Sequence, residues 1–143
     1  MKITQLSIFA ENKPGYIIAP CRRLADAGVE IRAISLAETQ QFGVLRLIVS
    51  DWRKSAKLLQ EAGYVVKPTE VLAVEVPGGA SGLAGVLAAV ETTSLNIEYM
   101  YAFPFDHGDK AILVFRFEDL DAAIEQLQAA GISMLAREKL QEQ

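Results

Sequence analysis

The sequence predicts an α+β fold made of two successive βαββαβ repeats. Leu59-Gln60-Glu61-Ala62-Gly63 resembles Leu127-Gln128-Ala129-Ala130-Gly131 at an offset of 68 residues, and earlier positions match at an offset of 66, as Leu6 does with Leu72. Both halves also show the same order of strand-like and helix-like periodicity. We therefore predict two small domains, residues 1–68 and 69–143, packed against each other side by side.

The first repeat opens with a strand at Gln5–Ala10, where apolar and polar residues alternate. The turn cluster Glu11–Gly15 leads into a helix that begins near Tyr16 and ends at Gly28. Because Pro20 disfavours helix beyond the first turn, this helix should start late or kink. The remaining elements are two strands, a helix that Asp51 caps, and a short closing strand that Pro68 ends: Val29–Ala37, Val44–Val49, Trp52 to Gly63, and Tyr64–Lys67.

The second repeat follows the same route, and only Pro68 and Thr69 separate it from the first. Its order of elements predicts a four-stranded antiparallel sheet with two helices on one face, the ferredoxin-like plan. A charged tail, Ala136–Gln143, is expected to be a frayed helix. The predicted elements are the strand Val71–Val76, the loop 77–82, the helix around Leu83–Val90, the strands Leu95–Phe103 and Ala111–Phe117, the helix Leu120–Ala130 and the closing strand Ile132–Leu135.

The segment Ala111–Phe115 is apolar on both sides of its strand. A strand with one solvated face would alternate, so the sheet face opposite the helices should be covered. A second copy of the chain is the simplest cover, and we therefore expect a homodimer.

Composition excludes several classes of protein. The net charge of −4 argues against a general nucleic-acid binder, and no apolar run is long enough for a membrane span. One histidine and one cysteine cannot build a Cys/His zinc site, and no Gly-x-Ser-x-Gly motif is present. We expect a soluble cytoplasmic protein that is not an enzyme and needs neither metal nor cofactor.

The loop Asn12-Lys13-Pro14-Gly15 lies between a strand end and a helix start. Unpaired N–H groups at a helix N-terminus attract a carboxylate or phosphate, and Gly15 lets a ligand approach the backbone closely. The Asn12 amide offers a donor and an acceptor, which suits the carboxylate and ammonium of an amino acid. An ordinary helix-capping turn is the alternative interpretation.

This loop, followed by an apolar helix and Gly28-Val29-Glu30-Ile31-Arg32-Ala33, resembles the ACT domain. Two copies over nearly the whole chain resemble the stand-alone tandem ACT proteins. The resemblance implies a non-catalytic sensor that binds a free amino acid between two units. It also implies a protein partner, an enzyme or regulator of amino-acid metabolism, through which allosteric regulation would act.

The resemblance also implies the residues of the site. The first loop, with Tyr16 at its end, would face the second strand of the other repeat. Apart from the resemblance, we expect Glu98 or a tyrosine hydroxyl of that strand to meet the ammonium. In the second loop glycine replaces Asn12 and alanine replaces Pro14, which weakens the case for selective binding there. The first site comprises Asn12, Lys13, Pro14, Gly15, Tyr16, Ile97, Glu98, Tyr99 and Met100; the second comprises Gly78, Gly79, Ser81, Gly82, Arg32, Ala33 and Ile34.

Other residues and other functions fit less well. His107 is expected at a solvated hairpin tip, Cys21 in a core, and Trp52 in packing. A small metal-dependent enzyme on a paired, glyoxalase-like α+β scaffold would need more histidine ligands. An RNA-binding domain would need basic and aromatic residues on its third strands. A pure protein-interaction module stays open.

Overall fold

The computed structural model describes residues 2–77, 80–105 and 110–141. Its strands are all antiparallel where their register is defined. The elements in chain order are β1 (Ile3–Glu11), α1 (Ile18–Asp26), β2 (Ile31–Glu38), β3 (Phe42–Val49), α2 (Trp52–Glu61), β4 (Val65–Pro77), α3 (Ala80–Glu91), β5 (Ile97–Phe105), β6 (Lys110–Phe117), α4 (Leu120–Ala129) and α5 (Arg137–Leu140).

The chain forms two compact units that differ from the predicted halves at their ends. The N-terminal unit contains Thr4–Thr69 together with Arg137–Gln143. The C-terminal unit contains Met1–Ile3 together with Glu70–Ala136. Each unit is thus completed by a terminal segment from the far end of the sequence. The division into domains 1–68 and 69–143 stays a prediction about the repeats.

In the N-terminal unit, two helices cover one face of the sheet. The strand order is β2-β3-β1, with β4 next to β1. Alternate residues of the paired strands, Leu6 opposite Leu47 and Ile8 opposite Leu45, point to the same side. Leu24 of α1 and Leu59 of α2 join them in one buried cluster. This is the two-layer arrangement that the apolar periodicity predicts.

The C-terminal unit repeats this plan with strand order β4-β6-β5. Val74 is opposite Leu113, and both pack in the core with Val90 of α3 and Leu127 of α4. Membership in the α+β class with two ferredoxin-like repeats, as predicted from the sequence, is therefore confirmed.

Equivalent features occur at the predicted offsets. Asp51 and Asp119, 68 residues apart, cap α2 and α4 by accepting the backbone N–H three residues later, at 3.1 Å in both cases. The outermost strands β2 and β5 have register shifts at positions 66 residues apart, between Ile31 and Ala33 and between Ile97 and Tyr99. The caps and register shifts that the two halves share thus support the repeat more strongly than residue identity between the halves does.

Two predicted boundaries are wrong. Pro68 does not end a strand, because β4 continues from Val65 to Pro77 through both units. The fixed φ of proline suits an extended chain and removes one donor, so it interrupts pairing on one side without turning the backbone. The predicted closing strand Ile132–Leu135 is reduced to one bridge between Val74 and Met134, next to a 2.8 Å bond from Leu135 N–H to Ala73 O.

Some residues on the sheet faces opposite the helices are buried within a single chain. Ile112 and Val114 of β6 have no exposed surface although neither belongs to the core beneath the helices. In the N-terminal unit Ile48 is equally buried. Ile112 and Val114 are thus buried in the single chain, and this burial gives the expected homodimer no support.

The C-terminal tail is integrated in the N-terminal unit. Leu140 is buried, and Gln141 is only 5% exposed. The Gln141 amide accepts from Thr4 N–H at 3.1 Å and donates to Thr4 O at 2.7 Å and to Val49 O at 3.3 Å. Its side chain therefore bonds the ends of β1 and β3 as a strand backbone would. The predicted frayed helix is in fact a short helix, α5, that ends in a buried contact.

We predict that Gln141→Ala lowers the free energy of unfolding by about 1–3 kcal/mol, because it leaves buried backbone groups of Thr4 and Val49 without partners. Gln126→Ala, at an exposed position of α4, is the matched control and should change stability by less than about 0.5 kcal/mol. Urea denaturation of the three proteins measures both effects. Equal stability of the two variants would show that the buried amide is dispensable.

Candidate functional site

The predicted ligand loop is a tight turn that ends at the start of α1. Tyr16 N–H donates to Lys13 O at 3.1 Å, which closes a four-residue turn over Pro14 and Gly15. Gly15 has a φ of +86°, so proline and a left-handed glycine occupy the two central positions of a type II turn. The sequence Lys-Pro-Gly-Tyr therefore dictates the turn type locally.

The base of the loop is attached to the neighbouring hairpin. Asn12 N–H donates to Gln41 O at 2.9 Å, and Lys13 N–H donates to Glu11 O at 2.8 Å. The Lys13 ammonium also lies 2.9 Å from the Glu11 carboxylate, and both groups are exposed. Because the bonds from Asn12 N–H and Lys13 N–H use backbone groups, they orient the loop whatever ligand it meets.

The end of the loop presents unused donors. α1 begins at Ile18, and Ile17 in the N-cap position makes no side-chain cap. The first intrahelical bond across the loop runs from Ala19 N–H to Gly15 O at 3.1 Å. Within the described part of the chain, the N–H groups of Gly15, Ile17 and Ile18 have no protein acceptor. These donors lie at the positive end of the helix dipole, where a carboxylate is stabilised.

An open cleft of about 420 Å³ lies at this loop. The Asn12 side chain is exposed and makes no hydrogen bond to any residue that the structure describes. Its amide is thus available for a polar ligand, next to a mostly apolar surface. The cleft is lined by Asn12, Lys13, Pro14, Gly15, Tyr16, Ile17 and Ile18.

Pro20 explains why the loop stays outside the helix. Since α1 starts at Ile18, Pro20 is the third helical residue and lies in the first turn, where its missing N–H costs no helical bond. The late start that the sequence predicted is confirmed. It leaves Pro14–Ile17 free to form the turn.

Tyr16 is held against the sheet by two residues that the sequence analysis did not identify. Its hydroxyl donates to Glu38 Oε1 at 2.5 Å, at the end of β2. Its ring lies over Gly43 of β3, so that a Cβ at position 43 would be only 2.6 Å from Tyr16 Cε2. The hydrogen bond to Glu38 is the main cause that raises the pKa of Tyr16. These contacts join residues far apart in sequence, so no local sequence pattern predicts them.

The residues expected to face the loop lie in β5 of the C-terminal unit. Glu98 occupies the register shift of this strand, and its carboxylate is already 3.2 Å from Arg116 Nε. Arg116 also donates to Glu70 O at 2.9 Å. Glu98 would therefore meet a ligand ammonium only as a carboxylate shared with Arg116. The contact of Ile97, Glu98, Tyr99 and Met100 with the first loop stays a prediction.

The second predicted site has a different local structure. Gly78 and Gly79 lie outside the described residues, as does His107, while Ser81 and Gly82 belong to α3. On β2, Ala33 is buried and Ile34 is 53% exposed. Arg32 pairs with Glu30 at 2.7 Å, and its buried Nε has no partner among the described residues. The assignment of these residues to one site stays a prediction.

Two other expectations concern packing. Cys21 is partly buried against the N-terminal core, and burial raises the pKa of its thiol, which reduces its reactivity. Trp52 packs against the same core, with the Arg53 guanidinium 4.8 Å from its ring centroid. Both residues have the packing roles that were predicted.

The described residues contain neither a cluster of metal-ligand side chains nor a membrane-spanning helix. In the ranges 2–77, 80–105 and 110–141, no three His, Cys, Asp or Glu side chains come together as a metal site would require. The helices within these ranges include none that is both long and apolar enough to cross a membrane.

Comparison with known proteins identifies the family. A family model described as an ACT domain pair matches residues 1–143. Protein BT0572 from Bacteroides thetaiotaomicron is 36% identical, with a TM-score of 0.89 over 98% of this chain and 96% of that chain. The chain therefore belongs to the ACT domain pair family. The curated proteins include none that matches it.

More distant structures share the fold. The ligand-free regulatory subunit of aspartate kinase from Thermus thermophilus is 16% identical, with a TM-score of 0.63 over 89% of this chain and 91% of that one. Aspartokinase III of E. coli, in complex with lysine and aspartate, is 18% identical with a TM-score of 0.53. That alignment covers 90% of this chain but 31% of the kinase chain.

Gly15→Ala should lower the free energy of unfolding by roughly 1–2 kcal/mol, because a side chain at φ +86° is strained even though no atom lies within 4 Å. Gly85→Ala in α3 is the matched control, with open space and no positive φ. It should raise stability by about 0.5–1 kcal/mol through helix propensity. Urea denaturation compares them, and a stable Gly15→Ala protein would contradict the type II turn.

The raised pKa of Tyr16 predicts a pH dependence. Its stabilising contribution should be complete below the unfolded tyrosine pKa of about 10 and disappear as pH rises through the higher folded pKa. Phenolate absorbance measures this titration, and Tyr16→Phe should remove the late-titrating component. Glu38→Gln should move that component to lower pH, because a neutral amide replaces the carboxylate. Identical titration of Glu38→Gln and the unaltered protein would refute the assignment.

Proposed function

We propose that this protein is a non-catalytic regulator that binds a free amino acid at the Asn12–Tyr16 loop. Membership in the ACT domain pair family points to a regulatory, ligand-binding role. The observation that carries the proposal is the set of unused donors at the start of α1, next to the exposed Asn12 amide. Backbone N–H groups would hold the α-carboxylate, and the Asn12 amide oxygen would accept from the ammonium.

The cleft suits a small ligand with an apolar part. Its volume of about 420 Å³ falls at the lower end of the range for small-molecule sites, and Pro14, Ile17 and Ile18 supply apolar surface. A phosphate would use the same backbone donors and accept from the Asn12 NH2 group, but it would leave the Asn12 oxygen without a donor. An amino acid satisfies both ends of this arrangement, which is why we prefer it to an inorganic anion.

Ligand binding would exert its regulatory effect through another protein. Regulatory subunits of aspartate kinase share this fold, and aspartokinase III of E. coli has been crystallised with lysine and aspartate. We propose that the protein works in the cytoplasm as a homodimer, in which β5 of a neighbouring unit closes the cleft. Its partner would be an enzyme or regulator of amino-acid metabolism, controlled allosterically.

A thermal-shift screen tests the proposal. Protein unfolded and refolded to remove bound ligand is heated with each of the twenty amino acids, and separately with phosphate. A ligand at about one hundred times its dissociation constant stabilises the folded state by about 2.7 kcal/mol, which raises the melting temperature of a chain of this size by about 9 °C.

The variant Asn12→Ala should keep its melting temperature without ligand and lose most of the shift. Gln40→Ala, which alters another exposed amide in the nearby hairpin, is the control and should keep it. If no amino acid shifts the unaltered protein at millimolar concentration, the proposed function is wrong. A shift with phosphate alone would point to an anion site instead.

A further inference from the structure

The two repeats have different backbone structure where their ligand loops should be. α1 begins at Ile18, whereas α3 begins at Ala80, which corresponds to Pro14 at the offset of 66. The positions that form a turn before α1 are therefore helical in the second repeat. Gly15 has a positive φ, and the described helical glycines Gly82 and Gly85 do not. The first loop is a projecting turn, whereas the described part of its counterpart, residues 80–82, belongs to the first turn of a helix.

The residues that hold Tyr16 are replaced together in the second repeat. Gly43 pairs with Ala10 and with Glu38 across the sheet. The equivalent position, Ala111, pairs in the same way with Val76 and with Pro104. Position 82, equivalent to Tyr16, is glycine. The tyrosine, its carboxylate partner and the glycine beneath its ring thus become Gly82, Pro104 and Ala111.

Geometry explains why these three changes occur as a set. Without an aromatic ring above it, position 111 can carry a methyl group that position 43 cannot, because a Cβ there would overlap the Tyr16 ring. Without a tyrosine hydroxyl at position 82, a carboxylate at position 104 would have no donor to accept from. Proline occupies position 104, the equivalent of Glu38. At Gly82 a Cβ would overlap the Pro77 carbonyl, so no side chain fits at position 82. The second repeat therefore cannot carry an aromatic side chain at the position equivalent to Tyr16.

We infer that only the first loop is a ligand site, with one ligand per chain, and that Glu38 and Gly43 are positioning residues that act through Tyr16. This inference rests on the proposed function. Tyr16 is attached to the loop backbone by the bond from its N–H to Lys13 O and to the sheet by its hydroxyl. It therefore holds the turn away from the helix and keeps the donors of Gly15 and Ile17 directed into the cleft.

The test exchanges residues between the repeats in the full chain. Gly43→Ala should displace the Tyr16 ring and weaken binding of the amino acid found in the screen by about tenfold or more. Ala111→Gly is the reverse change at the equivalent position and should leave the affinity unchanged within about twofold. Isothermal titration calorimetry gives both the affinity and the stoichiometry, which should be one ligand per chain.

A second variant separates positioning from general destabilisation. In Tyr16→Ala, adding Gly43→Ala should not lower the melting temperature further, because no ring remains to collide with the new methyl group. Binding should stay weak in both proteins. Glu38→Gln, which keeps an acceptor for the Tyr16 hydroxyl, should bind better than Glu38→Ala.

Several results would overturn the inference. Two ligands per chain would show that the second loop also binds. Gly43→Ala with unchanged affinity would show that the position of Tyr16 is irrelevant to binding, and equal affinities of the two Glu38 variants would show the same for its hydrogen bond. If the unaltered protein binds no amino acid, the proposed function fails and this inference with it, whereas the preceding results would leave the proposed function standing.

Discussion

The packing of two helices on one face of each sheet determines where every other feature of this protein can lie. In the N-terminal unit Leu24 must reach the cluster that contains Leu6 and Leu47, and this requirement sets the axial position of α1. The segment between the end of β1 and the start of α1 then has only a few residues with which to cross from sheet to helix. Pro14 and Gly15 allow that crossing as a type II turn, which leaves the first N–H groups of α1 exposed. The exposed donors at this loop are thus a by-product of core packing.

The two repeats resemble each other more closely in their cores than in their loops. The caps at Asp51 and Asp119 and the register shifts in β2 and β5 recur at fixed offsets because each serves packing or backbone pairing. The Pro14–Gly15 turn serves neither, and the equivalent positions in the second repeat, Ala80 and Ser81, are helical. Each terminal segment of the chain belongs to the unit formed mainly by the other repeat. Gln141 completes the ends of β1 and β3 in the N-terminal unit, so the first repeat is completed by residues that follow the second.

Much of the fold and part of the site could be predicted from the sequence. The internal offsets, the alternation in β1 and the caps identified the repeat and its elements, because these signals are local. The Lys-Pro-Gly-Tyr turn was likewise predictable, since its residue types specify the dihedral angles. Prediction failed at Pro68, where an apparent strand breaker lies within β4, and at Ile132–Leu135, where strand-like residues form only one bridge. Both outcomes depend on whether a neighbouring strand is in place to pair, and periodicity carries no information about neighbours.

The sequence by itself determined the number of repeats, their element order, the turn at Lys13–Tyr16 and the lack of Cys and His ligands for a zinc site. Only the tertiary structure decided that Tyr16 lies on Gly43 and bonds to Glu38, that both faces of β6 are buried in one chain, and that the tail inserts Gln141 beside Thr4. The physical reason is the range of the interactions. Backbone dihedral preferences and amphipathic periods act over a few residues, whereas these contacts join positions 22 to 137 residues apart and exist only after the sheets have formed.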